Sequence, residues 1–305
     1  MKRRVVVIGV AVVVAAIALG VWTRAQTSTG FAMGSVLTQT WWRLDCADLV
    51  FENIQQLEQE LLNATEAPER ALEIMEASGG AYNPYLGALT KLWDIDGQAR
   101  VPTQEEIDEA LQKKELDLGA YGKGAACDAA NLWYITFGLI ERPCGAVINL
   151  GGNILTYSHK PWFQPFKIAL RDPKGGPNDT MGMFRLRGTN FISTSGSYEK
   201  FFEQDGKRYH HIFDPKTGYP AEREPGLISV TVINGDKQLN TIGGGALGDM
   251  ISTACFVLGF EASRDLLAKY ACDAIFVYED GAVRAAGGVR EYFRLDNSKY
   301  HWGEA

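Results

Sequence analysis

Residues 206–220 read GKRYHHIFDPKTGYP, and the architecture of the chain follows from how this stretch folds. Apolar Ile212 and Phe213 come directly after His210 and His211 and suit the end of a strand over Tyr209–Phe213. Asp214-Pro215 and then Thr217-Gly218-Tyr219-Pro220 turn the chain back. A histidine at such a junction is held by the sheet while its ring faces solvent or ligand, where a general base belongs.

Working outward, short apolar runs predict strands at 147–150, 166–171, 184–187, 191–194, 227–233, 274–278 and 291–295. Phe31 to Trp41 alternates as one further strand. Helical spacing appears at 45–63, 68–77, 122–137, 249–258 and 261–270, with a glycine-rich loop over 234–248. Thr103 with Glu106 forms a capping box that opens another helix, running to about Lys113. Strands and helices grouped in blocks predict an α+β fold of mixed sheets with flanking helices. No internal repeat or Pro/Ser linker divides residues 31–305, which read as one unit, and 26–30 read as a polar spacer.

The chain has 305 residues, 46% of them hydrophobic and 22% charged, enough for a substantial core. A net charge of -7 without long basic runs argues against nucleic acid as a partner. Lys2-Arg3-Arg4 precedes an unbroken apolar run from Val5 to Trp22. Residues 1–25 therefore read as an N-terminal membrane anchor or signal segment, with the remainder on the extracytoplasmic side of a cell membrane. The five cysteines, at 46, 127, 144, 255 and 272, include no Cys-x-x-Cys pair, so neither a zinc knuckle nor a redox pair is indicated.

Four further blocks carry chemistry. Asp249 and Thr253 lie four apart at a helix start, so both project from one face. A carboxylate and a hydroxyl there suit Mg²⁺, although the spacing alone is read more simply as a helix cap beside a core residue. Lys123 among Gly119, Gly122 and Gly124 can bring an ammonium and backbone N–H groups to an anion, and Asp128 one turn later could pair with it. Asn149-Leu150-Gly151-Gly152-Asn153 and Thr194-Ser195-Gly196 each end a strand in a turn open to a planar ligand.

Together these blocks resemble the ApbE family of FAD:protein FMN transferases. The matching segments are DLGAYGKGAACD (Asp117–Asp128), NLGGNI (Asn149–Ile154), Thr194-Ser195-Gly196, HIFDPKTGYP from His211, and DMISTACFVLG (Asp249–Gly259). They occur in the family's order, and the likeness runs from Phe31 to about Phe276. It implies an α+β fold with a cofactor site between two lobes. It also implies His211 as catalytic base, and a metal held by Asp249, Thr253 and the Gly122 carbonyl. The residues implied around FAD are Met33, Tyr82, Asp117, Lys123, Asp128 and Asp214, with Gly151, Gly152, Asn153, Thr194, Ser195 and Gly196.

The implied reaction is Mg²⁺-dependent transfer of FMN from FAD to a Thr or Ser hydroxyl, releasing AMP. The implied acceptor is an exported protein of a membrane redox system. A Mg²⁺-dependent FAD pyrophosphatase and a non-catalytic FAD-binding protein stay open as alternatives. The chain departs from the family at Ser35, Asn83 and Ala88, and keeps only Asn63 to Ala67 where relatives carry a longer, serine-rich segment.

Overall fold

The computed structural model describes residues 24–42, 47–64, 66–141, 145–222, 224, 226–235 and 243–303. The N-terminal apolar segment, Cys46 and Cys144 lie outside these residues. No helix among the described residues is long and apolar enough to cross a membrane.

The first departure from the sequence reading is at the start. Strands β1 (Ala25–Ala32) and β2 (Ser35–Trp42) form an antiparallel hairpin, not one strand, and β1 takes in the stretch read as a spacer. Met33 and Gly34 turn the chain with φ of 51° and 66°, the pair of positive values that a two-residue hairpin turn needs. Gln26–Gly30 is polar, so apolar patterning marks only the last two residues of β1, Phe31 and Ala32, and does not reveal the reversal. An edge strand such as β1 can be polar because one of its sides faces water.

Helices α1 (Ala47–Leu62), α2 (Glu69–Ala77), α3 (Gly87–Trp93) and α4 (Gln104–Leu111) follow. The predicted capping box opens α4: the Thr103 hydroxyl accepts from the Glu106 amide at 3.3 Å, and Glu106 Oε2 accepts from the Thr103 amide at 2.8 Å. A short turn at Leu118–Ala120 leads into α5 (Gly122–Glu141). Then come β3 (Gly145–Leu150), β4 (Asn153–Ser158), β5 (Phe166–Arg171), β6 (Thr180–Leu186), β7 (Asn190–Gly196), β8 (Phe201–Gln204), β9 (Lys207–His210) and β10 (Leu227–Gly235). The chain closes with α6 (Gly244–Leu258), α7 (Phe260–Lys269), β11 (Asp273–Tyr278), β12 (Ala282–Ala286), β13 (Phe293–Leu295) and β14 (His301–Trp302).

Among the described residues the main sheet has nine strands in the order β1-β2-β3-β4-β7-β10-β11-β12-β14, and β13-β6-β5 form a second sheet. The main sheet is antiparallel throughout except where β14 joins β12. Its two faces are covered differently, and β11 shows how. Ala274, Phe276 and Tyr278 pack with α6 and α7 residues such as Met250 and Leu267, whereas Ile275 and Val277 pack with Phe166, Phe184 and Phe293 of the small sheet. The period-2 alternation of a strand sends neighbours to opposite faces, so a strand covered on both sides is apolar throughout. Truncating a fully buried side chain such as Phe184 or Phe276 would cost about 3–5 kcal/mol.

Helix α6 is buried along nearly its whole length, including the carboxylate of Asp249. A buried carboxylate is costly unless partnered, which marks this helix as more than core.

Candidate active site

Helices α5 and α6 meet at glycines. A Cβ placed on Gly124 would lie 2.2 Å from the Gly245 carbonyl oxygen, so only glycine permits the approach. This contact brings the first turn of α5 onto α6. There the Gly124 N–H, one of the donors that a helix start leaves free, donates to Asp249 Oδ2 at 3.0 Å. Asn153 Nδ2 donates to Asp249 Oδ1 at 3.3 Å from the β3–β4 turn. Burial raises the Asp249 pKa against the pull of the Lys123 ammonium and the Gly124 amide.

Thr253, one turn along α6, donates to the Asp249 carbonyl at 3.1 Å, and its hydroxyl is 3.3 Å from Ser195 Oγ. Ser195 in turn is 2.9 Å from Ser252 Oγ, so the end of β7 is tied to the same face of α6.

His211 lies one residue beyond β9, at the junction expected from the sequence. The β8–β9 hairpin turns at Asp205 and Gly206, both at positive φ, and Trp93 anchors the loop beyond it. The Trp93 Nε1–H donates to the Gly218 carbonyl at 2.9 Å, and its ring lies 5.6 Å from those of Phe213, Tyr209 and Tyr219. The His211 backbone N–H donates to the Lys200 carbonyl at 3.2 Å, and Nδ1 donates to the same oxygen at 3.3 Å. With the proton on Nδ1, the Nε2 lone pair is free to accept one. Desolvation, reinforced by Lys123, His210 and Lys200, lowers the pKa to about 4.

The neighbouring histidine is built in the opposite sense. His210 is buried, Nε2–H donates to the Ala221 carbonyl at 3.2 Å, Nδ1 accepts from the Ile212 amide at 3.2 Å, and the ring meets Phe256 edge to face. Both ring nitrogens are satisfied, so His210 holds the turn and has no free lone pair for chemistry.

These elements surround a cleft of about 870 Å³ between the ends of β3, β4 and β7, the edge strand β5 and the His211 loop. The structure brings His211, Tyr82, Asp117, Lys123, Gly151, Gly152, Thr194, Ser195, Gly196, Asp249 and Thr253 into its walls. Gly151 adopts φ +54°, and a Cβ there would meet Ser35 Oγ at 2.5 Å and Lys123 Cδ at 3.3 Å, so the turn gives Lys123 its path to the cleft. Tyr82 Oη is buried without a hydrogen-bond partner among the described residues, and burial followed by Asp249 pushes its pKa up.

Five expected residues are placed elsewhere. Asp128 does not pair with Lys123: its Oδ1 accepts from the Gly245 amide at 2.7 Å and its Oδ2 from the Ala246 amide at 2.8 Å, which caps α6. Asp214 fixes its own turn, Oδ1 accepting from the Lys216 amide at 2.9 Å. Asn153 is buried behind Asp249 and orients it. Met33, in the hairpin turn, lies against Gly122, and Gly122 opens α5 two residues before Gly124. None of these five lines the cleft.

The cleft also contains residues that the sequence reading missed. Tyr198 and Glu199 immediately follow the Thr194-Ser195-Gly196 turn, so carrying that motif three residues further would have found both. Burial raises the Glu199 pKa, opposed by Lys123, Arg171 and Lys200. Arg171 lies 5.4 Å from the Tyr198 ring, after the β5 register shift at Leu170/Arg171. No sequence motif marks it.

The donor set suits a hard cation. Among the described residues no three His, Cys, Asp or Glu side chains cluster to hold a metal. Asp249 provides one carboxylate, and one turn along α6 the Thr253 hydroxyl lies against Ser195 Oγ. Each Asp249 oxygen accepts one hydrogen bond and keeps a second lone pair. Oxygen donors of this kind suit a hard cation better than zinc, which prefers nitrogen and sulfur.

Comparison with known proteins gives both a family match and structural neighbours. The profile of the ApbE family matches residues 52–276. The chain is 33% identical over 268 residues to an FAD:protein FMN transferase of Treponema pallidum, covering 76% of this chain and 70% of that protein. It is 32% identical over 302 residues to one of Klebsiella pneumoniae, covering 83% and 89%. The crystal structure of an ApbE protein from Thermotoga maritima superimposes with a TM-score of 0.72 at 26% identity, covering 89% of this chain and 100% of that one. The apo flavinyl transferase ApbE of Pseudomonas stutzeri shares the fold, with a TM-score of 0.68 at 23% identity over 88% of this chain and 96% of that one.

Proposed function

Since the chain belongs to the ApbE family, we propose that it transfers FMN from FAD to a Thr or Ser hydroxyl of an acceptor protein and releases AMP. The observation that carries this reading is the meeting of His211, Lys123 and the Asp249–Thr253 pair in one cleft from distant parts of the sequence. A redox flavoprotein has no need of a free imidazole nitrogen opposite a buried carboxylate and a lysine.

In this reading Lys123 holds the pyrophosphate of FAD, and the glycine turn at 151–152 lies against its planar ring. His211 Nε2 takes the proton of the acceptor hydroxyl as its oxygen bonds to the FMN phosphorus, and the bond to the bridging oxygen breaks, so that AMP leaves. Asp249 and Thr253 would hold Mg²⁺, which neutralises charge on the phosphates when bound. Positioning and charge neutralisation carry most of the rate.

We also place the folded part outside the cytoplasm, held at the membrane by residues 1–25, where exported acceptors of membrane redox systems would reach it.

The test is incubation with FAD, Mg²⁺ and an exported acceptor domain, reading AMP release together with fluorescent flavin on the denatured acceptor. Covalent flavin with matching AMP supports transfer. AMP and free FMN without labelled acceptor would make the protein a pyrophosphatase, and tight FAD binding with neither product would make it a binding protein.

A further inference from the structure

The outer face of the small sheet, outside the cleft, carries a row of cations. Lys167 on β5 stands directly opposite Arg185 on β6, and Arg294 on β13 stands opposite Met183, diagonal to Arg185. Arg187 follows on the same face as Arg185, and all four side chains are exposed. Arg290 extends the row over the Trp302 ring at 4.5 Å. Arg185, Arg187, Arg290 and Arg294 wall a groove of about 530 Å³, with Glu291 as the carboxylate among its walls.

Among the described residues none of Lys167, Arg185, Arg187 and Arg294 has an ion-pair partner, although Lys91, Arg100, Lys200 and Arg208 on other surfaces do. Like charges opposite each other across strands are destabilising. In a chain of net charge -7, gathering cations without ion-pair partners on one face makes a local positive field that attracts an outside anion.

Beside this face the loop before β5 thrusts out two aromatic rings. Trp162 and Phe163 are 66% and 68% exposed, and both have positive φ, a conformation that bulky residues avoid. The loop is tied to the cationic face, because Arg187 donates to the Phe163 carbonyl. It is also tied to the start of the fold: the Lys160 ammonium lies 4.8 Å from the Trp42 ring centre, and Trp42 pairs with Ala25 at the beginning of β1. In the sequence, Ala25 comes three residues after the apolar run that ends at Trp22. The rings, the cations and the point where that run joins the fold therefore share one end of the molecule.

Exposed Trp and Phe beside unpaired Lys and Arg is the composition that binds a bilayer interface, the rings entering the headgroup layer and the cations meeting anionic lipid. We infer that this face docks the folded domain on an anionic membrane surface, with Trp162 and Phe163 inserted and Lys167, Arg185, Arg187 and Arg294 against the headgroups. The apolar run would supply proximity, and this face would fix the orientation. The inference is independent of the transferase reading, since none of these residues lines the cleft.

The test reconstitutes the full chain in nanodiscs made with acyl-brominated lipid, either all phosphatidylcholine or with phosphatidylglycerol added. The tryptophan fluorescence of the parent minus that of Trp162→Phe isolates Trp162. Docking predicts quenching of this component in the phosphatidylglycerol discs only, with relief in 0.5 M NaCl, where the screening length shrinks to about 4 Å. Lys167→Gln/Arg185→Gln/Arg294→Gln should shift the docked-to-detached ratio about a hundredfold toward detached. The triple variant should keep the parent's thermal unfolding and its rate on a soluble acceptor. Equal quenching in both lipids, no quenching in either, or unchanged quenching in the triple variant would overturn the inference. Shielding of Trp162 by an acidic acceptor protein instead of lipid would also overturn it, and would make the face a protein-docking surface.

Discussion

Asp128 and Asp249 each cap the helix that carries the other: Asp249 on α6 accepts from the Gly124 amide at the start of α5, while Asp128 on α5 accepts from the Gly245 and Ala246 amides at the start of α6. The exchange locks two helix N-termini together around the Gly124–Gly245 contact and leaves only Asp249 facing the cleft. It divides two carboxylates from matching motifs into one structural and one chemical group.

Asp128→Ala should therefore act on stability. Two partly buried amides lose their acceptor, which costs about 2 kcal/mol and lowers the unfolding midpoint by several degrees, while Asp128→Asn, which keeps one acceptor, costs less. FAD affinity of the folded Asp128→Ala protein should stay close to the parent's. An unchanged midpoint with lost FAD affinity would mean that Asp128 meets the ligand after all.

The two adjacent histidines should separate in the same way. His211→Ala should lower kcat by about 10²–10⁴, the usual range for a lost general base, and leave FAD binding largely intact. His210→Ala should instead lower the unfolding midpoint, because it strands the Ala221 carbonyl and the Ile212 amide in a buried turn. Full activity in His211→Ala would remove it as the base.

How far the sequence could be read follows the range of each interaction. The strand end at His211 and the turn after it are local, encoded by Asp214-Pro215 and Thr217-Gly218 within a few residues. The Thr103–Glu106 cap is equally local and forms as expected. Asp128 was misplaced because its partners, Gly245 and Ala246, lie more than a hundred residues away and come near only through a helix crossing. Arg171 was missed because its aromatic partner, Tyr198, lies beyond β7 and meets it only in the folded chain. The β1–β2 hairpin was hidden because β1 is polar over Gln26–Gly30 and leaves almost no apolar pattern to read.

Trp93 should act as a positioning residue for the His211 loop. Trp93→Phe keeps most of the ring packing but leaves the buried Gly218 carbonyl without its donor, a loss of about 1–2 kcal/mol. The expected pattern is a lower kcat with little change in the KM for FAD. Activity and midpoint both equal to the parent's would show that the loop is held without this bond.

Asp249→Asn can keep the Gly124 contact while removing the charge. The expected result is a folded protein, by thermal unfolding, whose transfer rate drops by at least about a hundredfold and no longer responds to added Mg²⁺. Thr253→Val should raise the Mg²⁺ concentration needed for half-maximal rate with a smaller effect at saturation. EDTA should stop the parent, with Mg²⁺ restoring it. An Mg²⁺ response retained in Asp249→Asn would place the metal elsewhere.

The depressed pKa of His211 sets both an activity limit and a stability slope. The imidazole must be neutral to accept a proton, and at about 4 it stays neutral well below the ordinary range, so kcat/KM should hold from pH 7 to 5 and fall only as pH nears 4. The stability slope runs the same way. Between the unfolded value of about 6.5 and the folded value of about 4, the unfolded chain binds more protons, so stability falls as pH drops through that window. His210, lowered to about 4 by its own burial, adds to the slope, whereas Asp128, raised to about 6, opposes it. Comparing the parent with His211→Gln cancels those shared contributions. The variant should lose less unfolding free energy between pH 7 and 5, by on the order of 1–2 kcal/mol in urea titrations. Equal losses in the two proteins would mean that His211 titrates near its ordinary value in the fold, and an activity limb near 6.5 would say the same from the kinetic side.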